Sequence, residues 1–103
     1  MLRITKSVAE KRLSNISPEE QFWCHDGRYL KNLQELEAAL EQMAEETFRY
    51  HANETKSDFS NWVRDVIGDE KFSRDLQKST TRTQAAKCVA ERIVSLMKKM
   101  ETE

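Results

Sequence analysis

Apolar residues recur along this chain in stripes that alternate with charge. Ile4, Val8, Ala9, Leu13 and Ile16 fall at helical spacing among Lys6, Glu10, Lys11 and Arg12, which predicts an amphipathic helix over residues 5–15. Leu33, Leu36, Leu40 and Met43 make a cleaner stripe, with Asn32 and Glu35 in the capping-box positions at its start. Glu45 to His51 predicts about two helical turns with Phe48 and His51 on one side. A polar loop over residues 52–56 follows. Phe59, Trp62, Val63, Val66 and Ile67 then occupy i, i+3, i+4, i+7 and i+8, one wide buried face capped by Ser57 or Asp58 and stopped by Gly68. Asp69 is the next N-cap, opening a short helix through Phe72 and Leu76. After the Ser/Thr-rich link 79–83, Thr81 and Gln84 form another capping box. Ala86, Val89, Ile93, Leu96, Met97 and Met100 then carry a final amphipathic helix over residues 82–100.

The helical period breaks twice near the start. Ser17-Pro18-Glu19-Glu20 has capping-box form, with Ser17 as N-cap, but the aromatic pair that follows limits it to one turn. Next, Phe22-Trp23-Cys24 and Arg28-Tyr29-Leu30 flank His25-Asp26-Gly27. Asp-Gly between aromatic-rich runs predicts a hairpin near residues 21–31 with a type I′ turn, its Phe22 and Leu30 side lying on a helix layer. Alternate strand residues face opposite sides, so Phe22 and Trp23 cannot both be covered by that layer, and one of them is the candidate exposed anchor. The expected fold class is mainly α, a single domain over residues 1–103 of five or six helices with one small hairpin.

Composition narrows the classes of function. With 103 residues, two glycines and one proline, the chain has the profile of one helical domain. Seventeen basic residues against eighteen acidic ones leave a formal net charge of -1, so no overall field draws in nucleic acid or an anionic membrane. No apolar run approaches the roughly 20 residues of a membrane span. Two distant cysteines, Cys24 and Cys88, without a secretory apolar region at the start, read as reduced thiols of a cytoplasmic protein.

Candidate chemistry is sparse. Cys24, His25, His51 and Cys88 are the soft metal ligands of the chain, and their spacing contains neither a Cys-x-x-Cys nor a His-x-x-x-His pair, so no metal site is expected. His25-Asp26 is similar to one element of metal-dependent phosphohydrolases, yet no histidine precedes it and a turn glycine follows it. A Cys24–His51 nucleophilic pair would need an activated thiolate, and Arg28 is the one cation close in sequence. No catalytic residue and no cofactor are therefore assigned. Trp62, central in its stripe, is expected in the core with its indole N–H on a local acceptor. Lys78, Arg82, Lys87, Arg92, Lys98 and Lys99 make the last segment locally basic, and Met97 and Met100 offer a seam for a homodimer through the same helix.

Residues 18–76 also carry a specific pattern: an aromatic pair before a turn glycine (Phe22, Gly27), Leu33-x-Glu35-Leu36, Phe48-x-x-His51, and Asp58-Phe59-x-x-Trp62-Val63-x-x-Val66-Ile67-Gly68-Asp69. The stretches PEEQFWCHDGRYLKNLQELEAALEQM and ETFRYHANETKSDFSNWVRDVIGDEKFSRDL resemble a small prokaryotic family, largely archaeal, known only as a domain of unknown function. Phe72 and Ser73 depart from the leucine and small residue that the family keeps after Gly-Asp-Glu. The resemblance implies no activity. It draws attention to His51 and Asp58, which packing alone explains least, and suggests a hydrogen bond between them across the loop.

The expected function is a non-catalytic cytoplasmic interaction or structural module for an unidentified protein partner, with Phe22, Trp23, His51 and Asp58 as candidate partner-binding residues. The alternative is nucleic-acid association through the basic final helix, disfavoured because no stacking platform or recognition motif accompanies the lysines.

Overall fold

Helix starts in this chain are written in short polar side chains. Thr5 Oγ1 accepts the Val8 N–H at 3.2 Å and opens α1 (Lys6–Leu13). Asn32 Oδ1 accepts the Glu35 N–H at 2.8 Å and opens α2 (Leu33–Gln42), while Glu35 reaches back to the Lys31 N–H at 3.0 Å. Ser57 caps α4 (Asp58–Trp62), Asp69 caps α5 (Glu70–Gln77), and Thr81 accepts the Gln84 N–H at the head of α6 (Arg82–Glu101). Each satisfies a donor that a helix N-terminus leaves without a partner. Between these lie a 3₁₀ turn (Pro18–Glu20), strands β1 (Phe22–Trp23) and β2 (Tyr29–Leu30), and α3 (Glu45–His51). The computed structural model describes residues 4–101. Its radius of gyration of 13.2 Å is that of one compact domain of this length, mainly helical with one small antiparallel hairpin.

α6 is the spine. α1 and α2 pack along it, α5 packs against α4 and also reaches α6, and β2 leans on α2. The stripe Leu33, Leu36, Leu40 and Met43 is buried throughout, as are Phe59, Trp62, Val63 and Ile67. α6 contributes Ala85, Ala86, Val89, Ile93 and Leu96 to the core, whereas Met100 is half-buried against it and Met97 is exposed. The two methionines therefore face different surroundings within the chain. In α1 only Ala9 is buried and Val8 faces outward, so the first stripe is narrower than its spacing suggests.

Three local expectations are corrected. Ser17 makes no side-chain cap; the Glu20 N–H bonds the Ser17 carbonyl at 2.9 Å and a single 3₁₀ turn results. The hairpin has the expected antiparallel pairing, Phe22 with Leu30 and Trp23 with Tyr29, but not the type I′ turn. Gly27 has φ +101° whereas Asp26 stays at negative φ. Cys24 accepts the Gly27 N–H at 2.8 Å and donates its own N–H to Arg28 at 2.8 Å, so the loop holds three residues with the glycine at the left-handed position. Third, α4 runs on as a π-helical turn, Val63–Ile67, closed by the Gly68 N–H on the Val63 carbonyl at 2.8 Å. A turn closed five residues back holds more residues than an α-turn. Positions four apart thus lie more nearly above one another, and Val63 and Ile67 are buried while Val66 is only half-buried. Gly68, at φ +84°, ends the element.

Long-range polar links hold these elements in place. Asp69 is 1% exposed; its Oδ2 accepts Arg92 Nε at 2.8 Å and lies 3.5 Å from Arg12 Nη1, while its Oδ1 caps α5. Arg82 Nη1 donates to the Leu40 and Glu41 carbonyls at 2.7 and 2.9 Å, closing the C-terminus of α2. Ser60 and Ser73 each donate a hydroxyl to the other's carbonyl at 2.8 Å, clasping α4 to α5. The indole of Trp62 is buried as expected, but its acceptor is distant: Nε1 donates to the Glu20 carbonyl, 42 residues away, at 2.8 Å. No helix of the described residues is long and apolar enough to cross a membrane.

Candidate functional site

The 52–57 segment folds back on itself. Ala52 bridges Ser57, the Asn53 N–H bonds the Lys56 carbonyl at 2.9 Å, and the start of α4 is thereby returned to the end of α3. This brings Asp58 to His51, whose Nδ1 lies 2.9 Å from Asp58 Oδ2. On its other side His51 Nε2 accepts the backbone N–H of His25 at 2.9 Å. A nitrogen that accepts a peptide N–H carries no proton, so the network assigns the neutral tautomer with its proton on Nδ1, donated to the carboxylate. The ring is 2% exposed. One histidine thus ties the hairpin loop, α3 and the head of α4 together.

Rings pack around it in two layers. Beneath, Phe22 meets His51 edge-on at 5.0 Å and stacks on Phe59 at 5.1 Å, and Phe48 stacks on the same Phe59 at 5.8 Å. Above, His25 stacks on Tyr50 at 4.0 Å with 12° between planes. Trp23 stands at 82° to His25 and at 77° to Tyr50. Lys56 Nζ lies 4.8 Å from the Tyr50 centroid and 3.2 Å from Asp58 Oδ2. The outer layer reaches solvent: Trp23 is 45%, Tyr50 44% and Tyr29, the cross-strand partner of Trp23, 62% exposed.

Of the four residues singled out by sequence, the structure brings Phe22, Trp23, His51 and Asp58 into one neighbourhood but on two levels. Phe22 and His51 form the buried base, Trp23 lies on the surface and Asp58 is half-buried between. Tyr50 was not singled out, and His25 was weighed only as a metal ligand and not as part of this face; Tyr50 sits beside His51 on a helix whose inner face Phe48 defines, which is the available signal. Their stacking across two elements has no trace in local spacing.

The chemistry available here is limited by what the groups already do. Both His51 nitrogens are engaged and the ring is out of reach of solvent, so it has no free lone pair with which to accept a substrate proton. Burial pushes the thiols of Cys24 and Cys88 up from their ordinary values, keeping both protonated at neutral pH. Both are free, Cys24 buried and Cys88 half-buried. Among the described residues no group of three or more His, Cys, Asp or Glu could hold a metal ion. A cleft of about 760 Å³ lies between the end of α3, the 52–57 segment and residues 77–81. Its Ser57 and Thr81 hydroxyls cap helices and its Asn53 side chain bonds the Arg49 carbonyl and Thr55, so these lining groups are spent on the fold itself.

The loop itself carries one strong charge pair. Hydrogen bonds from Arg28, the shortest from Nη2 at 2.8 Å, are the main cause that lowers the Asp26 pKa to about 2. A carboxylate whose folded value lies below its unfolded one contributes stability above the unfolded value and loses it as pH falls through the folded value. Wild type is therefore expected to lose stability relative to Asp26→Asn between about pH 4 and pH 2, by no more than about 1 kcal/mol for so exposed a pair, as read from urea midpoints at several pH values. Parallel midpoints for the two proteins across that window would refute it.

His51→Ala leaves the His25 N–H and the Asp58 carboxylate without their shared partner and is expected to cost about 1–3 kcal/mol. His51→Phe, which keeps a ring in the site, should recover only the packing part. A urea midpoint unchanged in His51→Ala would show that the linkage carries no stability.

No family model, no curated protein and no solved structure matches this chain.

Proposed function

We propose that the chain is a non-catalytic protein-interaction module of the cytoplasm that offers the aromatic face of its hairpin to a protein partner. The observation that carries this reading is the exposure of Trp23, Tyr29 and Tyr50 on one neighbourhood, above a base in which each ring contacts the next. Trp and Tyr are the residues that most often anchor interfaces, and rings already fixed by their neighbours lose little side-chain freedom on binding. The engaged nitrogens of His51 and the raised thiols support a non-catalytic role. Two unbridged cysteines agree with a reducing compartment. The basic final helix gives the nucleic-acid reading less support, because Arg82 and Arg92 are turned inward on α2 and Asp69.

The test compares the proteins that co-purify with the full chain from its native cell with those retained by Trp23→Ala, a surface change whose fold is checked by circular dichroism. A partner held by the wild type is expected to bind Trp23→Ala about 30-fold more weakly, the scale of a hot-spot truncation. Equal retention by both proteins would overturn the reading. Retention of DNA or RNA that survives physiological salt would replace it with the nucleic-acid one.

A further inference from the structure

Lys87, Glu91, Val94, Lys98 and Glu101 follow one another at spacings of four, three, four and three on α6, which places them in a single line along the helix. All five are exposed, Val94 at 51%. The line lies opposite the core-facing positions Val89, Ile93 and Leu96. Among the described residues its four charged members form no ion pair within the chain, unlike Arg82 and Arg92 of the same helix.

The order of charges is the informative feature. Read from Val94 toward the N-terminus, the line meets Glu91 and then Lys87; read toward the C-terminus, it meets Lys98 and then Glu101. Glu91 stands three residues before Val94 and Lys98 four after it, Lys87 seven before and Glu101 seven after, so that the charges at matching turns on either side of Val94 are opposite. A second copy of the helix laid antiparallel, with a two-fold axis through Val94, sets Glu91 against Lys98 of the other copy and Lys87 against Glu101, each pair occurring twice as a two-fold interface requires. A parallel arrangement sets like on like at every position. Beside Val94, Glu91, Ser95, Lys98 and Lys99 help to line a shallow hollow of about 350 Å³, where an apolar side chain from the opposing helix would sit.

We infer that the outer line of α6 is a docking surface for a second copy of this chain, bound antiparallel about Val94. The surface is small: from Lys87 to Glu101 the helix advances about 21 Å. Its pairs are exposed, so the association is weak, driven by charge and weakened by salt. It is independent of the hairpin face, and Trp23→Ala leaves it unchanged.

Sedimentation equilibrium of the full chain tests it. At low ionic strength the average mass is expected to rise from 12.1 kDa toward twice that value between about 10 μM and 1 mM, and to fall back in about 0.5 M salt. Glu91→Lys and Lys98→Glu, both surface changes, place like charges across the axis, and each variant alone is expected to stay monomeric. Mixing the two restores opposite charges and the mass rises; the double reversal E91K/K98E rises on its own. Wild type that remains monomeric at 1 mM and low salt overturns the inference. So does a dimer that persists in both single variants, or a mixture of them that fails to associate.

Discussion

Asp69→Ala is expected to lose about 3–5 kcal/mol of folding stability for the buried charge and about 1 kcal/mol more for the cap of α5. One carboxylate serves both purposes here. Oδ1 accepts the Phe72 N–H at 3.2 Å, and Oδ2 accepts Arg92 Nε and faces Arg12. Removing it leaves two guanidinium groups, 13% and 19% exposed, with no counter-charge. Domains of this size hold only about 5–15 kcal/mol in total, so the variant is expected to be largely unfolded or to melt far below the wild type. Urea denaturation measures this, and Asp69→Asn separates the parts, since its amide oxygen keeps the cap but not the charge. Arg92 Nη2 is buried without a hydrogen-bond partner among the described residues. Arg92→Met is therefore expected to cost less than Asp69→Ala, because it also removes that unmet donor. A midpoint for Asp69→Ala within experimental error of the wild type would refute the assignment of Asp69 as the charge centre of the fold.

Phe59→Ala is expected to cost about 3–5 kcal/mol and to disturb the candidate face from below. Phe59 is 1% exposed, stacks on Phe22 and Phe48, and contacts the His51 ring at 5.4 Å. The cavity would lie directly under Phe22, whose strand neighbour is Trp23. The loss of stability should therefore come with a shift of tryptophan emission in the folded baseline, absent from core truncations away from the hairpin such as Val89→Ala. A large destabilisation with unchanged emission would mean that the base and the face are not coupled.

Helix positions were legible where one face had one task. Leu33, Leu36, Leu40 and Met43 repeat because α2 has a single buried side, and the stop at Gly68 and restart at Asp69 could be read because a left-handed glycine and an N-cap are local devices. Asp26-Gly27 announced a hairpin, but the turn type depends on which flanking residues pair, and Cys24 with Arg28 chose the three-residue loop. The π-helical turn was hidden because Phe59, Trp62, Val63, Val66 and Ile67 satisfy an α-helical period equally well. The link from His51 to Asp58 was suggested by the pattern, whereas the second bond of His51 was not, since its donor is a backbone N–H on another element. Asp69 announced its cap and concealed its two arginines for the same reason: caps are read over three residues, and ion pairs 23 residues apart are not.

The bonds that hold the hairpin also impose an order of assembly. Its loop rests on His51, 26 residues downstream of His25, and the turn before it on Trp62, 42 residues downstream of Glu20. At synthesis rates of about 5–20 residues per second, a nascent chain carries Trp23 and Cys24 for about one to five seconds before His51 exists. A two-stranded hairpin alone is marginal in water. The surface most suited to meeting a partner in the finished protein is thus not secured as it emerges: it waits for residues 26 and 42 positions downstream, an interval in which a chaperone could hold it.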